Sequence, residues 1–561
     1  MKRKIIKGKK AIFVDYFDTL VYRKINSIDV ANRWAYVLKN KYVELKNVSI
    51  ENIVNYRKKI TCDLKDCYEE IPYNILMGEI RKKFKIEENL NDFINTCYDI
   101  EIAIELSTQY LNKKLYKFLL KEKNKGKKIY LVSDFYLGNK AYNTFFENLK
   151  INNLFDDIFI SSELNKTKRK HDNGLLYRYA LDKLELNKND VIMIGDNEYS
   201  DYEVVKHLGM DAILYKKNNI KKEDYLSYCG KFIHNKDKEW KKSLYIEYSY
   251  FFYVFIHRLY NTSFKDGVKK LSFLSREGLM LKKFFDIYQN FKIPNSKKIE
   301  SFYVYNSRKL NKQKKENVNY KEYLKSFSDG EYLNIVDSGW NNSSQEYISE
   351  YLKINTRGYY IGTFSKNKLN YKCDRNGLIY DIDEEGKVSD FYWSLRINFT
   401  LIEQLLAANH GSVDSYDDKI FKFTWVEQEK EYYEKYIKNI QEEMIENFKQ
   451  ICIWSNDSID NINNKKLARR MVKSGLFANE SRIKFLKDSD EAYYDNFSNN
   501  EYKGKLKIGK RTLIDKVFFP EKRLSVLVKK QRRLKNNWII KKLYYVWAIF
   551  LYIKLIILKK I

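Results

Sequence analysis

Five short apolar runs separated by helical sequence constrain this chain more than any other feature. They are Lys10–Val14, Lys128–Val132, Asp157–Ile160, Asp190–Ile194 and Asp211–Tyr215. An unbroken apolar run bounded by charge marks a strand buried on both faces, because a strand with one wet face alternates instead. Parallel neighbours need crossover connections, and the intervening helical stretches supply them. The reading is an α/β fold with a doubly wound parallel sheet, in which ligands gather at the carboxyl ends of the strands. Asp15, Ser133 and Asp196 stand at such ends.

From about Ser27 to Lys125 the pattern is helical, with Leu76, Ile80 and Phe84 four residues apart. We therefore expect a helical cap inserted over about 24–125 in a first domain spanning 1–225. From about Asn235 the character changes. Lys270–Leu274 runs into Ser275-Arg276-Glu277-Gly278, Tyr303–Tyr305 into Ser307-Arg308, and Leu333–Val336 into Asp337-Ser338-Gly339, with Gly358–Gly362 as a further strand. This predicts a second α/β domain over 235–420, followed by a charged helical region over 424–561. A chain of 561 residues is too long for one core and accommodates this division.

A hydrophobic content of 44% with 16% aromatics excludes general disorder. The net charge of +30 suits nucleic acid or an anionic membrane. Lysine is spread over the whole chain, however, with no stacking or zinc motif beside it, so nucleic acid is not the expected partner. The six cysteines form no CxxC pair, which points to free thiols in a reducing compartment. The basic N-terminus leads only to the short strand Ala11–Val14, which is too brief for a signal peptide, so the expected location is the cytoplasm.

Four stretches carry chemistry when set on the strands. Phe13-Val-Asp15-Tyr-Phe17-Asp18-Thr19 places a carboxylate just past a strand, and Leu131-Val-Ser133-Asp134 places a hydroxyl. Lys168-Arg-Lys170 offers an ammonium before a helix, and Ile194-Gly195-Asp196 with Ser200-Asp201 adds two carboxylates on a tight turn. Carboxylates from two strand ends suit Mg²⁺, which neutralises a phosphoryl group so that another carboxylate can attack it. A hydroxyl and an ammonium then take the charge that develops on the phosphoryl oxygens.

This order of motifs resembles the haloacid dehalogenase superfamily over about residues 10–216. The resemblance implies Asp15 as nucleophile and metal ligand, with Ser133 and Lys170 binding the phosphoryl group and Lys168 close enough to take the same role. It further implies Mg²⁺ held by Asp15, the Phe17 carbonyl and Asp196, with Asp201 in support and Thr19 and Asp18 beside the substrate. The phosphatases of that superfamily usually carry a second Asp two residues after the nucleophile, as general acid and base. Here that position is Phe17, and Asp18 stands where Gly is usual.

In the second domain, Arg276 and Arg308 are placed to clamp an anion, and Asp337-Ser338-Gly339 with Ser343 forms a small, hydroxyl-rich turn before a helix. A plainer reading of the same residues is a capped helix, with the arginines paired to Glu277 or Asp390. The set Phe273–Gly278, Tyr305–Arg308, Val336–Trp340 with Gln345, Gly358–Gly362 and Ile402–Leu406 is similar to two-domain hydrolases of bacterial surface-polysaccharide clusters. That resemblance implies a sugar-phosphate or nucleotide-sugar-like substrate in glycan assembly. The other outcome is a transferase or anion-binding scaffold that works at the Arg276/Arg308/Asp337 cleft while the first site is silent. Finally, a basic stretch from Lys522 to Lys542 precedes the apolar run Leu543–Leu558. That run is short of the ~20 residues that span a bilayer. It suits a peripheral anchor on an anionic inner leaflet, or a terminal helix docked on the core.

Overall fold

Burial on both faces makes the first strand. Ala11, Ile12, Phe13 and Val14 are all fully buried and form β1 (Ala11–Val14) at the centre of a sheet. Its side chains alternate between two cores. Ile12 and Val14 join Ile129, Leu131, Ile192 and Ile194 on one face. Ala11 and Phe13 join Tyr130, Val132, Val191 and Met193 on the other. One sheet thus serves two layers of helices, as double winding requires.

The computed structural model describes residues 3–64, 67–68, 70–169, 174–215, 222–233, 243–311, 317–340, 343–363, 373–381, 399–417, 419–455, 464–497 and 538–557. The chain divides into two compact units, Met1–Gly230 with Asn290–Ser296, and Lys231–Gln289 with Lys297–Ile561.

In unit 1, β1 is followed by β2 (Val21–Arg23) and β3 (Gln109–Leu111), which pair with each other, and then by β4 (Lys128–Ser133), β5 (Asp157–Ile160), β6 (Val191–Gly195) and β7 (Asp211–Leu214). The parallel sheet has the order β5-β4-β1-β6-β7. The chain leaves β1 towards β4 on one side and returns to β6 on the other, so β1 and β6 flank the switch point where a ligand crevice opens. All five sheet strands lie within a residue or so of the runs read from sequence. The β2–β3 ribbon was not anticipated, because three-residue strands carry no usable alternation. It frames the helical insertion α1 (Ser27–Lys41), α2 (Ile50–Asp63), α3 (Tyr73–Lys83) and α4 (Leu90–Thr108).

Two buried acids on α4, one helical turn apart, organise this insertion. Glu105 takes Arg23 of β2 in a two-pronged bond, with Nε at 2.9 Å and Nη2 at 2.8 Å. Glu101 pairs with Arg57 of α2, whose guanidinium lies over the Trp34 and Tyr136 rings at 4.5 and 5.0 Å. Buried pairs of this kind stabilise little net, but removing one partner strands a charge.

After β4 come α5 (Gly138–Leu149) and, following β5, α6 (Leu175–Lys183). Unit 2 begins with α7 (Tyr248–Lys265) and builds a second parallel sheet from β8 (Lys270–Leu274), β9 (Glu300–Val304), β10 (Leu333–Trp340), β11 (Thr356–Thr363) and β12 (Cys373–Tyr380). Its order is β12-β11-β10-β8-β9, with the switch point between β8 and β10. The edge strand β12 escaped the sequence reading because its first five residues, Cys-Asp-Arg-Asn-Gly, are almost all polar or Gly. A hairpin of β13 (Ser412–Asp417) and β14 (Ile420–Thr424) was also missed. Helices α8 (Lys438–Trp454), α9 (Asn464–Leu476), α10 (Glu480–Phe497) and α11 (Trp538–Ile557) complete unit 2. Phe448 of α8 stacks on Phe284 at 4.6 Å and meets Tyr253 of α7 at 5.6 Å.

Truncating Glu105 to Ala is expected to cost about 3–5 kcal/mol by leaving Arg23 unpaired, and the double change Arg23→Met, Glu105→Leu should restore most of it. Urea unfolding of the three proteins measures both.

Candidate active site

The backbone brings the site together before any side chain does. The Asp15 N–H donates to the Ile194 carbonyl at 3.0 Å, which carries the β1–β6 ladder one residue past the strand and holds Asp15 beside Asp196. The chain then turns sharply, with the N–H groups of Leu20 and Val21 both reaching the Tyr16 carbonyl. This turn buries Thr19 and points its hydroxyl at Asp196 Oδ1, 3.1 Å away. On the opposite side, a Cβ at Gly195 would lie 2.3 Å from Asp201 Oδ2, so only glycine lets Asp201 fold back beneath the end of β6. Asp201 is fully buried, accepting from the Asn197 N–H at 3.1 Å and from the Tyr177 hydroxyl at 3.3 Å. The carboxylates of Asp15, Asp196 and Asp201 come within 4.8 Å of one another as a result.

Lys168 closes the cluster. Its Nζ is 2.7 Å from Asp15 Oδ1 and 2.7 Å from Asp201 Oδ1, with the side chain only 4% exposed. The loop that carries it is pinned by Asp134, whose Oδ1 accepts the Lys168 backbone N–H at 3.0 Å. Asp134 adjoins Ser133, so one strand end supplies both a hydroxyl and the anchor for the ammonium. This role of Asp134 was not read from the sequence, although its place after Ser133 was the available signal. Lys170 lies outside the described residues. Of the two lysines open from sequence, Lys168 is the one seen to enter the cluster.

Burial works against the charge on each of these groups, and the partners answer it. Burial would lower the Lys168 pKa, but Asp15 and Asp201 outweigh it and hold the ammonium well above its ordinary range. Asp15 is pushed up to about 7, mainly by burial, with Lys168 opposing and Asp201 adding to the shift. Burial also raises Asp134, against the pull of Lys168.

The residues present fit a divalent cation. The donor set is all carboxylate oxygen, the chemistry that Mg²⁺ prefers over nitrogen or sulfur. Three carboxylates and one ammonium leave two negative charges, the complement of such an ion. Asp15, Asp196 and Asp201 would hold it. Bound there, it would neutralise an anionic substrate group next to Asp15.

Ser133 is 1% exposed, and its oxygen accepts the Tyr142 hydroxyl at 2.8 Å. Phe17 packs on Phe135, with ring centroids 4.8 Å apart, and lies under the Arg23 guanidinium at 3.7 Å. Asp18 takes the left-handed conformation, φ 56°, which Asp tolerates better than most residues. Its charge raises the pKa of Arg23, a lesser contribution than that of Glu105, and its carboxyl is not one of the three acids that meet.

The second cleft lies at the other switch point. Arg276 follows β8 and pairs with Glu429 at 3.0 Å. Arg308 opens a short helix after β9, and its charge acts on both Asp337 and Glu403. Asp337 and Ser338 lie near the end of β10, and Gly339 takes φ 107°, where a Cβ would strike the Gly362 carbonyl. Ser343 is exposed at the start of the helix Ser343–Glu350. Glu403 accepts the Trp340 indole N–H at 2.9 Å and is pushed up to about 7 by burial and by Glu277. Burial and Glu277 likewise raise Asp337 well above the carboxylate range. The sequence singled out the arginines and Asp337 of this cleft and carried Glu403 only within the Ile402–Leu406 motif, without a role; Glu429, on a distant helix, was not read. Asp390 lies outside the described residues.

Residues 44–215 match the family of haloacid dehalogenase-like hydrolases. The match takes in Ser133, Lys168, Asp196 and Asp201, and starts after the Asp15 turn. No curated protein matches the chain. Among solved structures, a haloacid dehalogenase-type phosphatase from Thermococcus onnurineus is 15% identical, covering 38% of this chain and 88% of its own, with a TM-score of 0.27. A family enzyme from Bacteroides thetaiotaomicron, an Asp-to-Ala mutant in complex with magnesium and inorganic phosphate, is 14% identical over 38% of this chain and 98% of its own, TM-score 0.28. A 2-haloacid dehalogenase from Pseudomonas syringae is 15% identical over 38% and 91%, TM-score 0.28.

Asp15 yields a pH prediction. With its pKa raised from 3.8 to about 7, its contribution to stability is complete below pH 3.8 and drains away as pH rises through about 7. Mg²⁺ takes the ionised carboxylate, so the rise in Tm on replacing EDTA with Mg²⁺ should be larger at about pH 8 than at about pH 5.5. Thermal unfolding at both values reads this, and equal shifts would count against Asp15 as a ligand.

Proposed function

We propose that unit 1 is a Mg²⁺-dependent phosphoryl-transfer site in which Asp15 is the nucleophile. The observation that carries this reading is the meeting of Asp15, Asp196 and Asp201 around the buried Lys168 ammonium at the switch point of a parallel sheet. The Asp15 carboxylate attacks the phosphorus, the P–O bond to the leaving group breaks, and an aspartyl-phosphate remains; water then attacks that phosphorus and regenerates Asp15. Ser133 Oγ and Lys168 Nζ are the donors for the phosphoryl oxygens, with Mg²⁺ supplying the remaining charge. The Phe17 carbonyl completes the proposed metal set. If Lys170 reaches the same phosphoryl group, it adds to Lys168.

Phe17 decides which version of the reaction is favoured. Position 17 carries Phe in place of a carboxyl, and the nearby Glu105 is held by Arg23. The site therefore suits leaving groups that depart without a proton, and transfer to an acceptor competes with hydrolysis. A sugar phosphate or nucleotide-sugar-like substrate in the cytoplasmic assembly of surface polysaccharide is the class proposed, supported by the motif resemblance that runs through Ile402–Leu406.

A second reading places the chemistry in unit 2. The Trp340–Glu403 bond and the raised Glu403 and Asp337 make an acid pair at the β8/β10 switch point, with Arg308 beside them. A transferase or a scaffold that grips its ligand in this cleft would use these groups.

An aryl phosphate tests the first reading. Mixed with the protein and Mg²⁺, it should give a burst of about one equivalent of phenol per chain, followed by slower turnover. Asp15→Asn should abolish the burst and cut turnover by about 10³ or more. Rapid-mixing absorbance measures both. If Asp15→Asn is silent while Asp337→Asn or Arg308→Ala destroys function, the chemistry belongs to unit 2.

A further inference from the structure

We infer that the outer face of α11 seats in the interface of an anionic lipid bilayer while its inner face stays docked on unit 2. The helix has two apolar faces with different fates. Tyr544, Ala548, Leu551 and Leu555, spaced at i, i+4, i+7 and i+11, are buried against Ala468, Val472 and Leu476 of α9. The Tyr544 hydroxyl donates to the Leu476 carbonyl at 3.0 Å, and the Tyr545 hydroxyl to the Ala478 carbonyl at 3.4 Å. These contacts hold the helix against the protein along its length.

Two positions along, the same spacing repeats on the opposite side. Val546 (63% exposed), Phe550 (63%), Ile553 (49%) and Ile557 (71%) form an outward stripe. Leu543 (59%), Trp547 (53%) and Ile549 (49%) widen it. A helix that merely closed a core would carry polar residues there, and single exposed apolar residues would need no account. A contiguous stripe with an aromatic at its edge marks a surface that something covers.

Charge selects the occupant. The helix contains Lys541, Lys542 and Lys554 and no acidic residue. From residue 521 to the last residue there are twelve Lys and Arg against Glu521 alone. A second copy of the chain would bring like charge against like, and a basic partner would be repelled equally. Anionic headgroups complement the lysines while the acyl boundary takes the apolar stripe. The helix lies on the membrane; it does not cross it. At 20 residues it is ~30 Å long, but no helix among the described residues is both long and apolar enough to span, and one side of α11 is already occupied by protein.

The test uses the full chain and vesicle co-sedimentation. Wild-type protein should bind phosphatidylcholine vesicles containing about 30% phosphatidylserine at least tenfold more strongly than pure phosphatidylcholine, with partial release at high salt. The triple variant Val546→Glu, Phe550→Glu, Ile553→Glu should lose at least tenfold of that binding while its unfolding midpoint holds, since all three are exposed and none belongs to the core shared with α9. Should that variant fail to fold, the neutral pair Trp547→Ser, Phe550→Ser should still weaken binding several-fold. Failure of wild type to bind anionic vesicles would overturn the inference. So would full binding by the folded variants, or a dimer in gel filtration that the triple variant abolishes while vesicles leave it intact.

Discussion

Everything in unit 1 depends on one ammonium shared by two carboxylates. Without Lys168, Asp15 and Asp201 would be two buried like charges, and burial together with their mutual repulsion would keep one of them protonated. With it, both are hydrogen-bonded at 2.7 Å, and once Asp15 ionises above about pH 7 a net double negative charge remains for an incoming cation. Breaking such a buried arrangement from one side ordinarily costs about 3–5 kcal/mol. The cluster therefore depends on the surrounding sheet to keep its three members in place. The sheet does so with the β1–β6 ladder, the Gly195 turn and the Asp134 anchor, all built from backbone that has little freedom to relax.

This explains why the first site was largely legible in the sequence. Its parts sit at ends of buried strands, and such strands announce themselves as apolar runs with an abrupt polar stop. Asp15, Ser133 and Asp196 needed only the strand register to be placed together. What stayed hidden was contributed by neighbours whose roles depend on three-dimensional closeness. Tyr142 and Tyr177 look like core aromatics from their spacing, and only the fold turns their hydroxyls towards Ser133 and Asp201. The choice between Lys168 and Lys170 was likewise beyond reach, since two lysines on one loop differ only in which way the loop faces.

Unit 2 was less legible for a related reason. Its strands were found where they are apolar, but β12 begins polar and sits at the sheet edge, where solvent relieves the demand for hydrophobic residues. The cleft is assembled from long-range partners. Arg276 meets Glu429, and Trp340 meets Glu403, across 153 and 63 residues of sequence. Local motifs gave the arginines, Glu277 and Asp337, but no role for Glu403 and no sign of Glu429. Counting those acids alters the character of the place. Arg276 and Arg308 share it with Glu277, Asp337, Glu403 and Glu429, so it is an acid-rich polar pocket more than a bare anion clamp.

The two switch points then differ in a way that bears on their chemistry. In unit 1 the like charges are met by a fully buried ammonium on a pinned loop, although burial still pushes Asp15 up to about 7. In unit 2 the arginines are more exposed or already engaged, so burial lifts the Asp337 and Glu403 pKa values without a full counter-charge. Glu403 and Asp15 are both pushed up to about 7, so what separates them is the partner, the Trp340 indole at Glu403 and the Lys168 ammonium at Asp15. A carboxyl able to carry a proton near neutral pH is thus present at the second switch point. With Asp15 as the proposed nucleophile, the capture of a phosphoryl group rests on geometry already in place. On that reading, release to water would proceed without a carboxyl at position 17, where Phe17 packs on Phe135 instead.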